Sequence, residues 1–214
     1  MKLTSNINPH IFREYDIRGK YPSEINEDIA YTIGRAFGTH LIRNHQKRCI
    51  IGKDNRLSGP VLHDALVQGI LESGVDIIDL GTVTTPMYYF ACIDQKIEPG
   101  IMITASHNPK DENGFKIAFQ AGGNAYGEAI QQFYQEVIAQ QFTNGRGTLS
   151  RLDIKERYFE FLLSSIHMGS NSLKVVVDCG NGTTSYFAKD LFSRLPITLE
   201  MICSESDPTF PIHH

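Results

Sequence analysis

The stretch Gly100-Ile101-Met102-Ile103-Thr104-Ala105-Ser106-His107-Asn108-Pro109-Lys110-Asp111-Glu112-Asn113-Gly114-Phe115-Lys116 runs from an apolar, partly β-branched segment into a polar loop and out again. Ile101 to Thr104 reads as a buried strand. The loop then sets a hydroxyl, an imidazole and an amide side by side at Ser106, His107 and Asn108. Asn113-Gly114 predicts a turn that sends the chain back as Phe115 to Phe119, carrying Lys116 alongside the loop. A hydroxyl on a strand-end loop is where a sheet protein places a nucleophile or a phosphate carrier.

On both sides of this stretch the sequence alternates strand and helix patterns. Ile11 to Gly19 is an extended segment in which Arg13 and Arg18 have Glu14 and Asp16 as ready surface ion-pair partners. Asn26 predicts the cap of a helix whose Ile29, Ile33, Phe37 and Leu41 form one stripe. Arg48 to Lys53 predicts a buried strand, followed by the polar loop 52–60, a helix capped by Ser58 with Leu62, Leu66 and Ile70 on one face, and a stop at Gly74. Val75 to Leu80 is the next strand, and Thr84-Thr85-Pro86 opens another helix. This order predicts an α/β domain with a largely parallel sheet covered by helices on both faces. Both polar loops, 52–60 and 105–114, come directly after strands, where such a sheet collects its function.

Downstream, Tyr126 to Gln141 carries a helical stripe of Ile130, Phe133, Tyr134, Val137 and Ile138. The Gly-containing passage 143–148 predicts a boundary between a first domain at 1–147 and a second unit at 148–214. Asp153 with Glu156 has the spacing of a capping box for the next helix. Leu173 to Asp178 predicts a second buried strand, ending in Cys179-Gly180-Asn181-Gly182. That turn lacks the third glycine of a dinucleotide fingerprint, which favours a tight turn or a scaffold near phosphate. Ile197 to Ile202 predicts the last strand.

Composition excludes several classes. The chain has 214 residues, a net charge of −4 and a pI near 6.0 with scattered Lys and Arg, so a nucleic-acid partner is not expected. No apolar run is long enough for a membrane span and no leader pattern opens the chain, so the expectation is a cytoplasmic protein without a membrane partner. Cys49, Cys92, Cys179 and Cys203 form no C-x-x-C pair and read as free thiols. Asp111 and Glu112 are adjacent and Asp207 stands alone, so no carboxylates sit at metal-ligand spacing. Ser106 needs a base or a metal to become a nucleophile. Neighbouring side chains on an extended loop point apart, which argues against a Ser106–His107 hydrolase pair.

Thr104-Ala105-Ser106-His107-Asn108-Pro109 followed by Asn113-Gly114-Phe115-Lys116 resembles the phosphoserine loop of the α-D-phosphohexomutases, the phosphomannomutase and phosphoglucomutase enzymes. The resemblance extends, in the family's order, to F-R-E-Y-D-I-R-G at 12–19, G-K-D-N-R at 52–56, V-D-C-G-N-G at 177–182 and T-F-P-I-H-H at 209–214. It implies a layered α/β/α domain with a phosphoserine loop and the start of a second, similar domain. It implies an isomerase that moves phosphate within hexose phosphates, its small-molecule substrates, through a hexose 1,6-bisphosphate. Carried onto this chain, Ser106 is the phosphate carrier and, through a phosphate oxygen, one ligand of Mg²⁺. Arg18 holds the phosphoryl charge, Lys116 is the acid or base, and His107, Tyr15 and Asn108 line the site.

Two departures from the family pattern stand out. Its Asp-rich metal loop, sugar-discriminating loop and last domain would lie beyond residue 214, so the resemblance implies an N-terminal portion, inactive by itself, with most Mg²⁺ ligands elsewhere. Lys53 stands where Arg is more usual, which keeps the charge but loses the planar fork. The competing readings are a sugar-phosphate-binding module of the same fold without the reaction, and a serine hydrolase.

Overall fold

A computed structural model describes residues 1–120, 123–170 and 172–213. His214, the last residue of the T-F-P-I-H-H motif, lies outside them. The first strand is β1 (Ile17–Lys20), followed by α1 (Glu27–Arg43), β2 (Arg48–Lys53), α2 (Gly59–Glu72), β3 (Asp76–Thr82), α3 (Thr85–Gln95), β4 (Gly100–Ile103) and β5 (Glu112–Ala118). Then come α4 (Glu128–Ala139), β6 (Leu149–Arg151), α5 (Lys155–Ser165), β7 (Leu173–Asp178), α6 (Ala188–Ser193) and β8 (Ile197–Ile202).

Six strands form one sheet in the order β1-β5-β4-β2-β3-β6. β4, β2, β3 and β6 run parallel, whereas β5 is antiparallel to both β4 and β1. Alternation along the strands builds two cores. Ile51, Ile101 and Ile103 face α1, α2 and α4, while Ile50 and Met102 face Met87, Tyr88 and Ala91 of α3 together with Ile154. The result is the expected three-layer arrangement.

Several local expectations hold. Asn26 accepts the Ile29 N–H at 3.1 Å and caps α1, whose Ile29, Ile33, Phe37 and Leu41 are all buried. Others are corrected. Asn113-Gly114 is not a turn but lies inside β5, opposite Gly19 and Arg18 of β1. A Cβ on Gly114 would stand 2.1 Å from the Ile17 carbonyl oxygen, so the glycine answers a close strand approach. Ser58 occupies the N-cap position of α2 but makes no side-chain cap hydrogen bond; its Oγ accepts from Asn113 Nδ2 at 2.8 Å. Asp153 accepts the Lys155 N–H at 2.9 Å, but Glu156 does not complete a capping box and instead takes the Arg194 guanidinium at 2.8 and 3.0 Å. Arg18 and Asp16 do pair, but in the interior, at 6% and 2% side-chain exposure.

The division expected at residue 147 falls just before β6, so the first sheet draws its edge strand from the segment assigned to the second unit. β7 and β8 form a separate parallel pair with the expected limits, but β7 lacks its expected burial: Leu173 and Val176 are exposed. Among the described residues no helix is long and apolar enough to cross a membrane.

The α1–α2 contact carries a stability prediction. A Cβ on Gly34 would lie 2.3 Å from the Leu66 carbonyl oxygen, and one on Gly69 2.4 Å from that of Tyr31. Helix propensity favours Ala over Gly by roughly 1 kcal/mol, but overpacking a tight contact costs about 1–3 kcal/mol. Backbone cannot swing aside as a side chain does, so the clash should prevail. Gly34→Ala is expected to lower the urea midpoint; a raised midpoint would show that the helices separate easily.

Candidate active site

The sheet places three loops together at the carboxyl ends of β4 and β2 and beside the edge strand β1. β4 delivers Ser106, which has φ +56°. This left-handed conformation is uncommon for a residue with a side chain. Two contacts hold the curl: the Ser106 N–H donates to Thr104 Oγ1 at 2.8 Å, and the Asn108 N–H donates to the Ala105 carbonyl at 3.1 Å. The curl also brings Ser106 Oγ to 3.3 Å from His107 Nδ1. The expectation that these side chains point apart fails for that reason, since it assumed extended backbone. Both residues are exposed, and the hydroxyl is free of any buried structural contact.

β2 delivers Asp54 and Arg56. Arg56 is 3% exposed and spends its guanidinium on the serine loop. Nη2 donates to the carbonyls of Ser106 (2.9 Å) and Asn108 (2.7 Å), and Nη1 to those of Pro109 (2.7 Å) and Glu112 (2.9 Å). Nε donates to Asp54 Oδ2 at 3.2 Å. Burial pushes the Asp54 carboxyl above its usual range, against the opposing pull of Thr104 and Arg56. Phe210 covers the guanidinium, its ring centroid 5.5 Å from Cζ.

β1 and β5 supply the remaining candidates. Arg18 donates to Asn108 Oδ1 at 2.5 Å and pairs with Asp16. Lys116 Nζ lies 3.5 Å from the same Asp16 carboxylate and 5.4 Å from the centre of the Tyr15 ring. Asn108 also donates to Glu112 Oε2 at 2.6 Å. Two cations therefore share one buried carboxylate behind the loop, and Asn108 links Arg18 to a second carboxylate, Glu112.

The front of the loop forms a cleft of about 530 Å³, whose walls include Ser106, His107, Asn108, Arg56, Phe210 and His213. Its volume falls within the range of small-molecule sites. Ser106, His107 and Asn108 reach this space directly. Arg18 is tied to it through Asn108, while Tyr15 and Lys116 stand to the side, joined through Asp16.

The opposite wall comes from the second unit. Asn55 Nδ2 donates to the Asn181 carbonyl and Ser206 Oγ, each at 3.0 Å, and the Asn55 N–H donates to Thr183 Oγ1 at 3.0 Å. The glycine-rich turn at 179–182 therefore docks on loop 52–60 and serves as scaffold. Reading residue types in isolation misses Asn55 and Arg56; the available signal was the D-N-R triplet directly after a strand. Among the described residues, no group of three His, Cys, Asp or Glu ligands gathers at Ser106. These residues alone do not form the oxygen cage that Mg²⁺ requires.

Comparison with known proteins gives a consistent result. The family model described as phosphoglucomutase/phosphomannomutase, alpha/beta/alpha domain I, matches residues 9–144. A phosphomannomutase/phosphoglucomutase of Pseudomonas syringae pv. tomato is 40% identical over 95% of this chain and 43% of its own length. A phosphoglucomutase of Neisseria meningitidis serogroup A is 37% identical over 98% of this chain and 46% of its own. The crystal structure of a phosphoglucomutase/phosphomannomutase family protein from Burkholderia thailandensis superposes with a TM-score of 0.89 at 36% identity, covering 97% of this chain and 47% of that one. The chain thus spans less than half the length of the curated relatives it matches.

Proposed function

Since the chain belongs to the phosphoglucomutase/phosphomannomutase family through its α/β/α domain I, we propose that it carries the phosphoserine of an enzyme that interconverts hexose phosphates. The observation that carries this reading is the Ser106 hydroxyl, exposed in the cleft on a loop whose carbonyls are bound by the buried Arg56 guanidinium.

In the first half-reaction a sugar hydroxyl oxygen attacks the phosphorus on Ser106. The bond between phosphorus and Ser106 Oγ breaks, and a bisphosphorylated hexose forms. The second half-reaction runs the same chemistry in reverse with the sugar's other phosphate. Lys116, held by Asp16 and the Tyr15 ring, is the proposed acid or base: as the free amine it takes the proton of the attacking hydroxyl, and that proton returns to Ser106 Oγ as the serine leaves. Arg18 contributes positive charge and fixes Asn108, which with His107 borders the space for the substrate. Ser106 would give Mg²⁺ one oxygen through its phosphate; bound there, the ion would spread the phosphoryl charge. The domain unit is proposed to end near residue 147, with β6 lent to its sheet by the adjoining second unit.

The test is peptide mass spectrometry of the whole protein isolated from cells. One phosphoryl group on Ser106, discharged by incubation with hexose phosphate, is the expected result. An unmodified Ser106 in protein that turns over would overturn the reading. A sugar-phosphate-binding module without the reaction predicts binding but no phosphorylated Ser106.

A further inference from the structure

We infer that Asp178, Cys203 and His213 form a site for a divalent cation of the zinc class at the carboxyl ends of β7 and β8. His213 Nε2 lies 2.9 Å from Asp178 Oδ2 and 3.7 Å from Cys203 Sγ, and the three donor atoms fall within 4.8 Å of one another. Zinc bonds of about 2.0–2.3 Å in a tetrahedron set donors roughly 3.3–3.7 Å apart. The three donors therefore need small shifts to take up that arrangement.

Asp178 and Cys203 are anchored by the two strand ends. Asp178 Oδ1 accepts the Gly180 N–H at 2.9 Å, which leaves Oδ2 for His213. The Cys179 N–H donates to the Ile202 carbonyl at 3.2 Å and the Asn181 N–H to that of Cys203 at 3.0 Å, so the two strand ends are laced together. Cys203 itself sits at φ +47°, a conformation rarely kept without a reason.

The donor set decides the class of ligand. A sulfur, a nitrogen and a single carboxylate suit zinc-type cations and not Mg²⁺, which takes oxygen. A Cys–His–Asp nucleophile relay is also excluded, because thiol and carboxylate face the same ring nitrogen where a relay needs one on each. On binding, the Cys203 thiol loses its proton to solvent and a metal–sulfur bond forms, with the fourth position open to water. The ion ties the segment after β8 to the strand ends through His213, which also walls the cleft beside Ser106.

The experiment is titration of cobalt(II) chloride into the full chain with Mg²⁺ in large excess. The expected result is one-to-one binding with a thiolate-to-cobalt charge-transfer band that zinc displaces. Cys203→Ser should remove the band, His213→Gln should weaken binding by about tenfold or more, and Cys179→Ser should leave both intact. No thiolate band, or one that survives Cys203→Ser, overturns the proposal. If Cys203→Ser does not fold, unchanged cobalt affinity in Asp178→Asn and His213→Gln overturns it instead. None of these readouts depends on phosphoryl transfer.

Discussion

Ser106→Ala in the whole protein is expected to abolish hexose phosphate interconversion, a loss on the order of 10⁴- to 10⁶-fold, as for removal of other covalent nucleophiles. Thr104, the other hydroxyl on the loop, is 4% exposed, and its Oγ1 accepts the Ser106 N–H at 2.8 Å. Stability should hardly change, because the side chain is exposed and its hydrogen-bond partner among the described residues is His107 Nδ1 at 3.3 Å. Exposed substitutions of this kind fall within about 0.5 kcal/mol. Ser106→Gly separates the two properties further. With φ at +56°, glycine relieves backbone strain of roughly 1 kcal/mol, so this variant should melt above the parent and be equally inactive. Measured turnover together with urea midpoints checks both parts. Activity retained by Ser106→Ala would move the phosphate carrier elsewhere.

The fold was legible wherever a local signal and the tertiary demand coincide. The stripe Ile29, Ile33, Phe37 and Leu41 marks α1 because burial at a period near four is a property of the helix itself. The limits of β2, β7 and β8 follow from apolar runs bounded by polar turns. Signals failed where a distant segment decides. Asn113-Gly114 has the composition of a turn, yet β1 approaches so closely that glycine is required within a strand, and Asn113 turns its amide to Ser58. Glu156 has the spacing of a capping box, but Arg194, far along the chain, offers a bidentate partner. β6 was invisible because three exposed residues carry no burial pattern. In the site, the positions of Ser106, His107 and Asn108 follow from a strand-end loop. What holds that loop does not, because an arginine two residues after an aspartate gives no sign that its donors reach four carbonyls on another loop.

Arg56→Met should therefore both unfold the protein more easily and stop Ser106 from being phosphorylated. The guanidinium satisfies four loop carbonyls and the Asp54 carboxylate while 3% exposed. Removing one partner of a buried ion pair costs about 3–5 kcal/mol, since the other charge stays behind. Methionine fills much of the volume but donates nothing, so the loop carbonyls must find water and the curl at Ser106 loses its support. The loss should depend on pH. The Asp54 carboxyl already sits above its usual range through burial, and Arg56 is among the groups that pull it down. Without Arg56 it rises further, so the folded variant retains a proton that the unfolded chain gives up. Stability of the variant should then fall as pH climbs from the ordinary carboxylate range towards the raised value, and the deficit against the parent should shrink in mild acid. Arg56→Lys keeps a charge for Asp54 but cannot span four carbonyls with three donors. It should recover part of the urea midpoint and little of the phosphate on Ser106. Normal loading of Ser106 in Arg56→Met, with an unshifted midpoint, would mean that the loop holds its shape by its own turn contacts.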